Sequence, residues 1–323
     1  MAVTLADYAK QSKDPLQKGF IMDLLRYSEL LNTVPFDVVD GLQVDGVRWQ
    51  TMPAAAFRKI NAGYTEGTGT TEKVAETLVA LGGDVKIDRF LTGNSNVIQD
   101  PLTTQMNMKA KSVAFKFNDA FINGDAGVDP DSFEGLKKRV SNMPSRQTID
   151  LAVATVSLKV LASVANENTF LDALHTASKY VDGATHIFAN ENTFLGLGRV
   201  ARRLNLYQQI TDAYGKKWDS LTGLPIVDVG LKSDKSTEII SDTEDPGNAT
   251  LDSTSIYVVR MDMDDGLHGL TLRGHELDVY DPLTGGEMEA GPQYLRRIDW
   301  GVGLFNLSNY VIARVKGFKM SAT

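Results

Sequence analysis

The sequence predicts an α+β fold, and three observations lead to that class. Residues 45–52 and residues 84–90 alternate apolar and polar side chains, as half-buried strands do. Residues 101–123 place apolar side chains at helical spacing, which predicts a long amphipathic helix. From residue 256 onward short alternating runs dominate, so the C-terminal quarter of the chain is expected to form a sheet.

Composition excludes several classes of protein. With 323 residues, 42% of them hydrophobic, the chain can bury a substantial core. It has no cysteine and only four histidines, so disulfides and thiolate metal sites are excluded and a histidine zinc site is poorly supplied. The net charge of −8 argues against a basic face for nucleic acid. We find neither an apolar run of about 18 residues nor a signal-peptide pattern, and we expect a protein made in the cytosol without a membrane partner.

The first 44 residues are expected to form a polar arm and a short packing helix. Asp14 and Pro15 have the residue types of a helix cap and a first helical position. One apolar stripe follows and predicts a helix that ends before Pro35. The stripe consists of Leu16, Phe20, Ile21, Leu24, Leu25 and Leu31.

The stretch AGYTEGTGTTEKV, residues 62–74, lies between the two alternating segments. Strands joined across it would form a hairpin over residues 45–90. Arms of roughly 15 residues at about 3.3 Å per residue would reach about 50 Å. An isolated two-stranded hairpin is marginal in water, so it needs something to lie on. Either these are two strands of a larger sheet, or the hairpin is an arm that rests on another subunit.

Two further regions complete the predicted organisation. In the long helix, which is expected to end near Gly124, Val113, Phe117 and Phe121 belong to the apolar face. Beyond it, a strand at 185–189, a helix to about Leu204 and a strand at 224–229 predict a βαβ-like core. NENTFL occurs at 166–171 and 190–195, and we interpret both copies as helix starts capped by Asn or Thr. The acidic, turn-rich loop 241–253 is expected to be a segment boundary.

No motif favours catalysis. Gly196 and Gly198 match a loose dinucleotide pattern, but the string ENTFL stands between them and the preceding strand, so they should lie inside a helix that cannot cradle a phosphate. MDMDDG, residues 261–266, departs from a calcium loop in its glycine position. His268 and His275 would point to opposite faces of a straight strand. We expect no enzymatic activity, no metal and no cofactor.

Four strings of the sequence carry a family resemblance: PAAAFRKINAGYTEGTG, ETLVALGGDVKIDRF, MKAKSVAFKFNDAFINGD and DPDSFEGLKKRV. With the order of elements above, the chain resembles the major capsid proteins of tailed bacteriophages, which have the Hong Kong 97 fold. The resemblance implies that residues 45–90 are the extended loop over a neighbouring subunit. Residues 91–147 are then the spine helix and peripheral domain, 148–253 the α/β axial domain, and 254–323 the returning sheet of the peripheral domain.

The same resemblance implies contact residues and a role for the glycines of the hairpin. The contacts expected between subunits are those of Trp49, Phe57, Arg58, Tyr64, Glu66, Glu72 and Lys73. Gly63, Gly67 and Gly69 would relax the backbone so that the arm bends differently in pentamers and hexamers. Some family members join a hairpin lysine to a neighbouring asparagine covalently, and Lys59 and Lys73 are the lysines to consider. Because the reaction needs a neutral amine and Lys73 is flanked by carboxylates, we expect shells without this bond.

The implied function is self-assembly of pentamers and hexamers into an icosahedral shell around double-stranded DNA, without sequence-specific binding. The shell would be part of the virion and would assemble in the cytoplasm of the host bacterium. No coiled coil precedes the arm, so scaffolding is expected from a separate protein, together with a portal; a decoration protein is compatible with this scheme. An encapsulin-like cargo shell is the alternative, and a nucleotide-dependent enzyme built around Gly196 and Gly198 is a distant third.

Overall fold

The structure is a computed structural model. It describes residues 5, 15–92, 101–153, 156–203, 208–211, 217–221, 223–247, 250–280 and 293–321. Most of the predicted N-terminal arm, with the expected cap Asp14, lies outside these ranges. No helix within them combines the length and apolar character needed to cross a membrane.

The described residues form both α-helices and β-strands. The helices are α1 (Pro15–Tyr27), α2 (Glu29–Thr33), α3 (Arg89–Thr92), α4 (Pro101–Asn123), α5 (Leu136–Asn142), α6 (Val164–Tyr180) and α7 (Glu191–Arg203). The strands are β1 (Phe36–Val39), β2 (Gln43–Thr51), β3 (Thr70–Thr77), β4 (Val79–Asp88), β5 (Thr148–Asp150), β6 (Leu158–Lys159), β7 (His186–Ala189), β8 (Gln208–Thr211), β9 (Lys217–Leu221), β10 (Leu224–Asp228), β11 (Thr254–Val259), β12 (Leu267–Tyr280), β13 (Gln293–Asn306) and β14 (Ile312–Lys319).

The spine helix, α4, runs through the larger of two main hydrophobic cores. Pro101 stands in its first turn, where a missing backbone N–H costs nothing. Beyond the helix, at Gly124, a Cβ would lie 2.3 Å from the carbonyl oxygen of Phe133, so the close approach requires glycine. The buried face of the helix includes Met106, Ala110, Val113, Phe117 and Phe121.

The sequence predicts one N-terminal helix, but the structure has two, α1 and α2. Ser28 separates α1 from α2: its hydroxyl accepts a hydrogen bond from the Leu31 N–H at 3.0 Å and donates one to Asn118 Oδ1 at 2.8 Å. A serine cap starts a new helix because its side chain satisfies a free N–H. The bond to Asn118 fixes this break against the spine helix.

The peripheral sheet has the order β1, β12, β13, β4. Strand β1 is parallel to β12, and the other neighbours are antiparallel. Trp300 of β13 is buried and stacks on Phe117 of the spine helix, with ring centroids 5.2 Å apart. This contact places the sheet on the spine helix.

The predicted pairing of the hairpin is wrong in its second arm. Strand β2 pairs with β3, from Gln43 opposite Thr77 to Thr51 opposite Thr70. Residues 84–90 lie instead in and just after β4, which pairs with β13 of the peripheral sheet. Val85 and Ile87 are buried in the larger core. Because a strand pairs where its apolar face is covered, β4 joins the peripheral sheet and not the hairpin. The arms have nine and eight residues, about half the expected length.

The axial sheet has the order β5, β14, β11, β7, β10, β9, β8, with β6 on β14. The expectation that residues 254–323 return to the peripheral sheet is therefore wrong for β11 and β14. All six residues of β11 are buried. Tyr257 and Val259 face the larger core, whereas Ile256 and Val258 face the second core under α6 and α7. An unbroken apolar strand needs cover on both faces, which only this position supplies.

The predicted βαβ unit is confirmed: β7 and β10 pair in parallel, with α7 between them in the chain. Of the two predicted helix starts, the one at Asn190 is confirmed and the one at Asn166 is wrong. Asn190 Oδ1 accepts from the Thr193 N–H at 2.9 Å and caps α7. The cap of α6 is Ser163, whose hydroxyl accepts from the Asn166 N–H at 3.2 Å, so Asn166 lies in the first turn. Ser163, three residues earlier, satisfies the N–H that would need a cap.

Candidate assembly surface on the hairpin

The hairpin tip, residues 52–69, connects β2 to β3 without strand pairing of its own. Large apolar side chains in and beside it are at least 71% exposed. Phe57 is fully exposed. Contiguous exposed apolar side chains mark contact sites in folded proteins, because leaving them in water forfeits the gain from burial. The exposed set is Trp49, Met52, Phe57, Ile60 and Tyr64.

The predicted contact residues divide into two groups. Trp49, Phe57 and Tyr64 are exposed, as is Glu66. The guanidinium of Arg58 lies 5.1 Å from the centre of the Tyr64 ring, a cation–π contact. This first group is therefore free to contact another molecule.

The second group is already engaged across the hairpin. Glu72 Oε2 lies 2.9 Å from Arg48 Nη2, and Lys73 Nζ lies 2.8 Å from Asp45 Oδ2. The hydrogen bond from Lys73 lowers the pKa of Asp45 below its ordinary value. These pairs hold β2 and β3 in register, so Glu72 and Lys73 stabilise the hairpin itself.

The different bending of the tip in pentamers and hexamers stays a prediction, and within the subunit its glycines have different surroundings. The left-handed backbone position is at Asn61, with φ of 70°. At Gly69 a Cβ would lie 2.8 Å from the carbonyl oxygen of Thr51, and at Gly67 it would lie 3.1 Å from that of Ala54. Gly67 and Gly69 thus allow the two sides of the hairpin tip to approach each other closely, whereas Gly63 has open space around it.

A buried arginine holds the base of the hairpin on the body of the subunit. Arg139 of α5 donates from Nη1 to Glu76 Oε1 and to Asn306 Oδ1, each at 2.6 Å, and from Nη2 to the Leu304 carbonyl at 2.9 Å. Its Nε donates to the Glu134 carbonyl at 2.8 Å. One side chain thereby connects β3, α5 and β13.

A small apolar cluster supports the same region. Leu78, Leu270 and Phe305 are buried there. Gly46 lies directly under Phe305, where a Cβ would come within 2.7 Å of the ring. The base of the hairpin is therefore packed on the body of the subunit.

Sequence reasoning missed Arg139 and its partners. Glu76 and Asn306 lie far from it in sequence, so no local pattern joins the three. The available signal was weaker: Arg139 shares a short helix face with Leu136 and Val140, which are both buried. A charged residue on an apolar face calls for a buried partner.

The other candidate sites are placed as follows. Gly196 and Gly198 lie inside α7, as expected, and a Cβ at Gly196 would meet Met320 at 2.8 Å, which is close helix packing. His268 is buried and His275 binds Asp278 at 2.9 Å. In the described part of the chain, no three His, Asp or Glu side chains are grouped so as to hold a metal.

Comparison with known proteins adds to this geometry. A family model described as Major capsid protein GP7 matches residues 43–164, which include the hairpin and the spine helix. The encapsulin SrpI complex from Synechococcus elongatus PCC 7942 is similar with a TM-score of 0.60 at 13% identity, over 90% of this chain and 87% of that chain. A search of curated proteins finds no match.

Structures of viral and virus-like particles are similar over comparable lengths. The capsid of a native GTA particle has a TM-score of 0.58 at 18% identity, over 92% of this chain and 90% of that chain. The chain has the Hong Kong 97 capsid fold. Mycobacterium phage Bobi shares this fold with a TM-score of 0.56 at 12% identity, over 91% of this chain and 89% of that chain. At these identities the solved structures show the fold alone, and the family match covers the hairpin and the spine helix.

Proposed function

We propose that this chain is the major capsid protein of a tailed bacteriophage. Its subunits gather as pentamers and hexamers into an icosahedral shell that encloses double-stranded DNA. The observation that carries the proposal is the exposed apolar tip on a packed base, in a segment that the capsid family model covers. Burial of that surface against another subunit would contribute about 25 cal/mol per Å².

In the proposed shell, the tip of one subunit lies on the body of the next subunit. The tip is one surface, and the body that would receive it is a different one. When such a contact is not reciprocated by the same neighbour it is head-to-tail, and head-to-tail contacts form closed rings where the rotation permits. Five- and six-membered rings are the units from which an icosahedral shell is built.

The remaining parts of the proposal concern chemistry and partners. The shell catalyses no reaction and binds no cofactor. Its net charge of −8 suits a wall along which DNA slides without sequence-specific contacts. A separate scaffolding protein and a portal take part in assembly, a decoration protein fits the same scheme, and assembly takes place in the host cytoplasm.

An encapsulin-like cargo shell is the second candidate, and the similarity to the SrpI complex favours it. The fold alone does not distinguish the two functions, but the family match favours the capsid. Electron microscopy of the purified chain tests both against an enzyme: closed shells, shell fragments, pentamers or hexamers support them, and a monomer or dimer at high protein concentration contradicts them. Mass spectrometry then separates them, because a stoichiometric enclosed enzyme would establish a cargo shell.

The tip should be needed for shells and dispensable for folding. A triple variant with Phe57, Ile60 and Tyr64 replaced by serine is expected to melt like the wild type, since these side chains are exposed in the subunit. It should form no closed shells in electron micrographs. Val128→Ser, which removes an apolar side chain that is 83% exposed outside the hairpin, is the control and should assemble normally.

Two outcomes would contradict this prediction. Shells at wild-type yield from the triple variant would show that the tip makes no essential contact between subunits. A large fall in its melting temperature would show that the tip belongs to the core of its own subunit.

Purified shells are expected to lack covalent links between subunits. Lys73 is ion-paired with Asp45 across the hairpin, so its amine is already engaged within the subunit, and Lys59 is exposed at the tip. Shells boiled in detergent should give one gel band near 35.3 kDa. A ladder of heavier bands that survives boiling would contradict this and would direct attention first to Lys59.

A further inference from the structure

Two carboxyl groups on the loop after β10 share the same hydrogen-bond donors. Asn190 Nδ2 donates to Glu238 Oε2 at 2.8 Å and also to Asp242 Oδ1. Asn192 Nδ2 donates to Glu238 Oε1 at 3.3 Å and also to Asp242 Oδ2. The shared amides hold the two carboxyls, here called the carboxyl pair, side by side. Two neighbouring carboxyls repel each other when both are ionised, so a proton on one of them is favoured.

The donors around the carboxyl pair are fewer than the acceptors. Asn190 is buried, and its Oδ1 is used to cap α7, which directs its Nδ2 toward the pair. This nitrogen has two hydrogens, but it also lies 3.1 Å from the Ile240 carbonyl and 3.3 Å from Thr254 Oγ1. Four oxygens thus compete for two hydrogens. A proton on the pair supplies a further donor.

The charges around the pair oppose its full ionisation. The negative charge of Asp228 opposes the ionisation of Glu238. The negative charges of Glu191 and Glu29 in turn oppose the ionisation of Asp228. Of the lysines on the same loop, Lys232 is bound to Asp119 of the spine helix at 3.2 Å, and Lys235 is exposed. Carboxylates held together without a cation between them repel each other, and one of them keeps its proton to higher pH.

The loop that carries the pair joins two parts of the fold. We call residues 229–243 the junction loop. Its Ile239 and Ile240 are buried. On one side Asn123 of the spine helix donates to the Ile239 carbonyl at 2.8 Å. On the other side Asn190, at the start of α7 in the axial domain, binds the Ile240 carbonyl and the pair.

We propose that the carboxyl pair is a pH-dependent latch that fastens the junction loop to the start of α7. The latch is closed when the pair holds one proton, and it weakens when both carboxyls are ionised. Because the same loop is bound to the spine helix, the latch controls how firmly the axial domain is tied to the spine.

The direction of the pH effect follows from Glu238. Burial, and next the charge of Asp242, raise the pKa of Glu238 to about 7 from an ordinary value of 4.5. Between these values the closed latch retains a proton that the open loop has released. The closed form therefore becomes less favourable as pH rises through this range, and the loss is complete above the folded pKa.

Hydrogen exchange of the full-length protein tests the proposal. Corrected for intrinsic exchange, the opening constant of amides in the junction loop should rise about tenfold from about pH 6 to about pH 8.5. Glu238→Gln keeps the shape of the side chain and cannot ionise, so its opening constant should stay constant over this range. Asp242→Asn removes the neighbouring charge and should reduce the pH dependence.

Asp234→Asn is the matched control on the same loop. Hydrogen bonds from Thr237 and Ser236 lower the pKa of Asp234, so it is ionised throughout the tested range. This variant should retain the tenfold change, and amides of α6 should show none in any variant. The latch is overturned if the wild-type loop changes less than about twofold, or if Glu238→Gln changes as much as the wild type.

Discussion

Replacing Phe117 by alanine is expected to lower the free energy of unfolding by about 3 to 5 kcal/mol. Phe117 is fully buried in the spine helix. Its ring centroid lies 5.2 Å from that of Trp300, 5.9 Å from that of Phe133 and 6.0 Å from that of Phe36. Truncation leaves a cavity where the spine helix, the peripheral sheet and the loop before α5 meet. Urea denaturation of the unassembled subunit measures the loss.

Met108→Ala is the matched control, because it shortens a side chain of the same helix that is 59% exposed. Its effect should stay within about 0.5 kcal/mol, as for most surface substitutions. If Phe117→Ala were as mild as Met108→Ala, the spine helix would not be packed on the peripheral sheet in solution.

Replacing Arg139 by methionine is expected to cost about 3 to 5 kcal/mol, because it leaves a largely buried carboxylate without its partner. Glu76 loses its ion pair, and the Leu304 carbonyl loses a donor. The base of the hairpin should loosen, so amides of β3 should exchange faster than in the wild type. Denaturation and hydrogen exchange of the subunit measure the two effects.

Lys138→Met is the control for this substitution. Lys138 is the preceding residue of α5, and its ion pair with Asp125 is partly exposed. Such pairs contribute about 0 to 1 kcal/mol. The double variant Arg139→Met with Glu76→Gln should recover part of the loss, since it removes the unpaired charge. Equal stability of the two methionine variants would show that Arg139 does not hold the hairpin.

Long, strongly periodic segments were predictable from sequence. The spine helix was predicted within its observed bounds because its apolar stripe spans many turns. The β7–α7–β10 unit was predictable for a similar reason: its strands are short apolar runs on either side of a capped helix. Boundaries that depend on one side chain, such as the break at Ser28, were missed because the apolar stripe continues past the serine and hides its capping role.

The candidate assembly surface was predictable in its tip and not in its base. The Gly/Thr-rich stretch between alternating segments indicated an exposed turn, and Tyr64 within it is exposed. Strand β2 pairs with β3 because β4 is buried in the peripheral sheet. The alternation at Val85 and Ile87 predicts a strand, but it does not specify which sheet that strand joins. Arg139 depends on Glu76 and Asn306, which only folding brings together.

By itself the sequence determined the fold class, the spine helix, an exposed turn and the absence of disulfides, because each depends on composition or on contacts within a few turns of chain. The tertiary structure decided which strands pair, that β11 and β14 complete the axial sheet, and that Glu238 and Asp242 share the amides at the start of α7. These features depend on burial and electrostatics between distant residues. Local periodicity is the same whichever distant partner covers a strand or meets a charge, so the pattern cannot specify that partner.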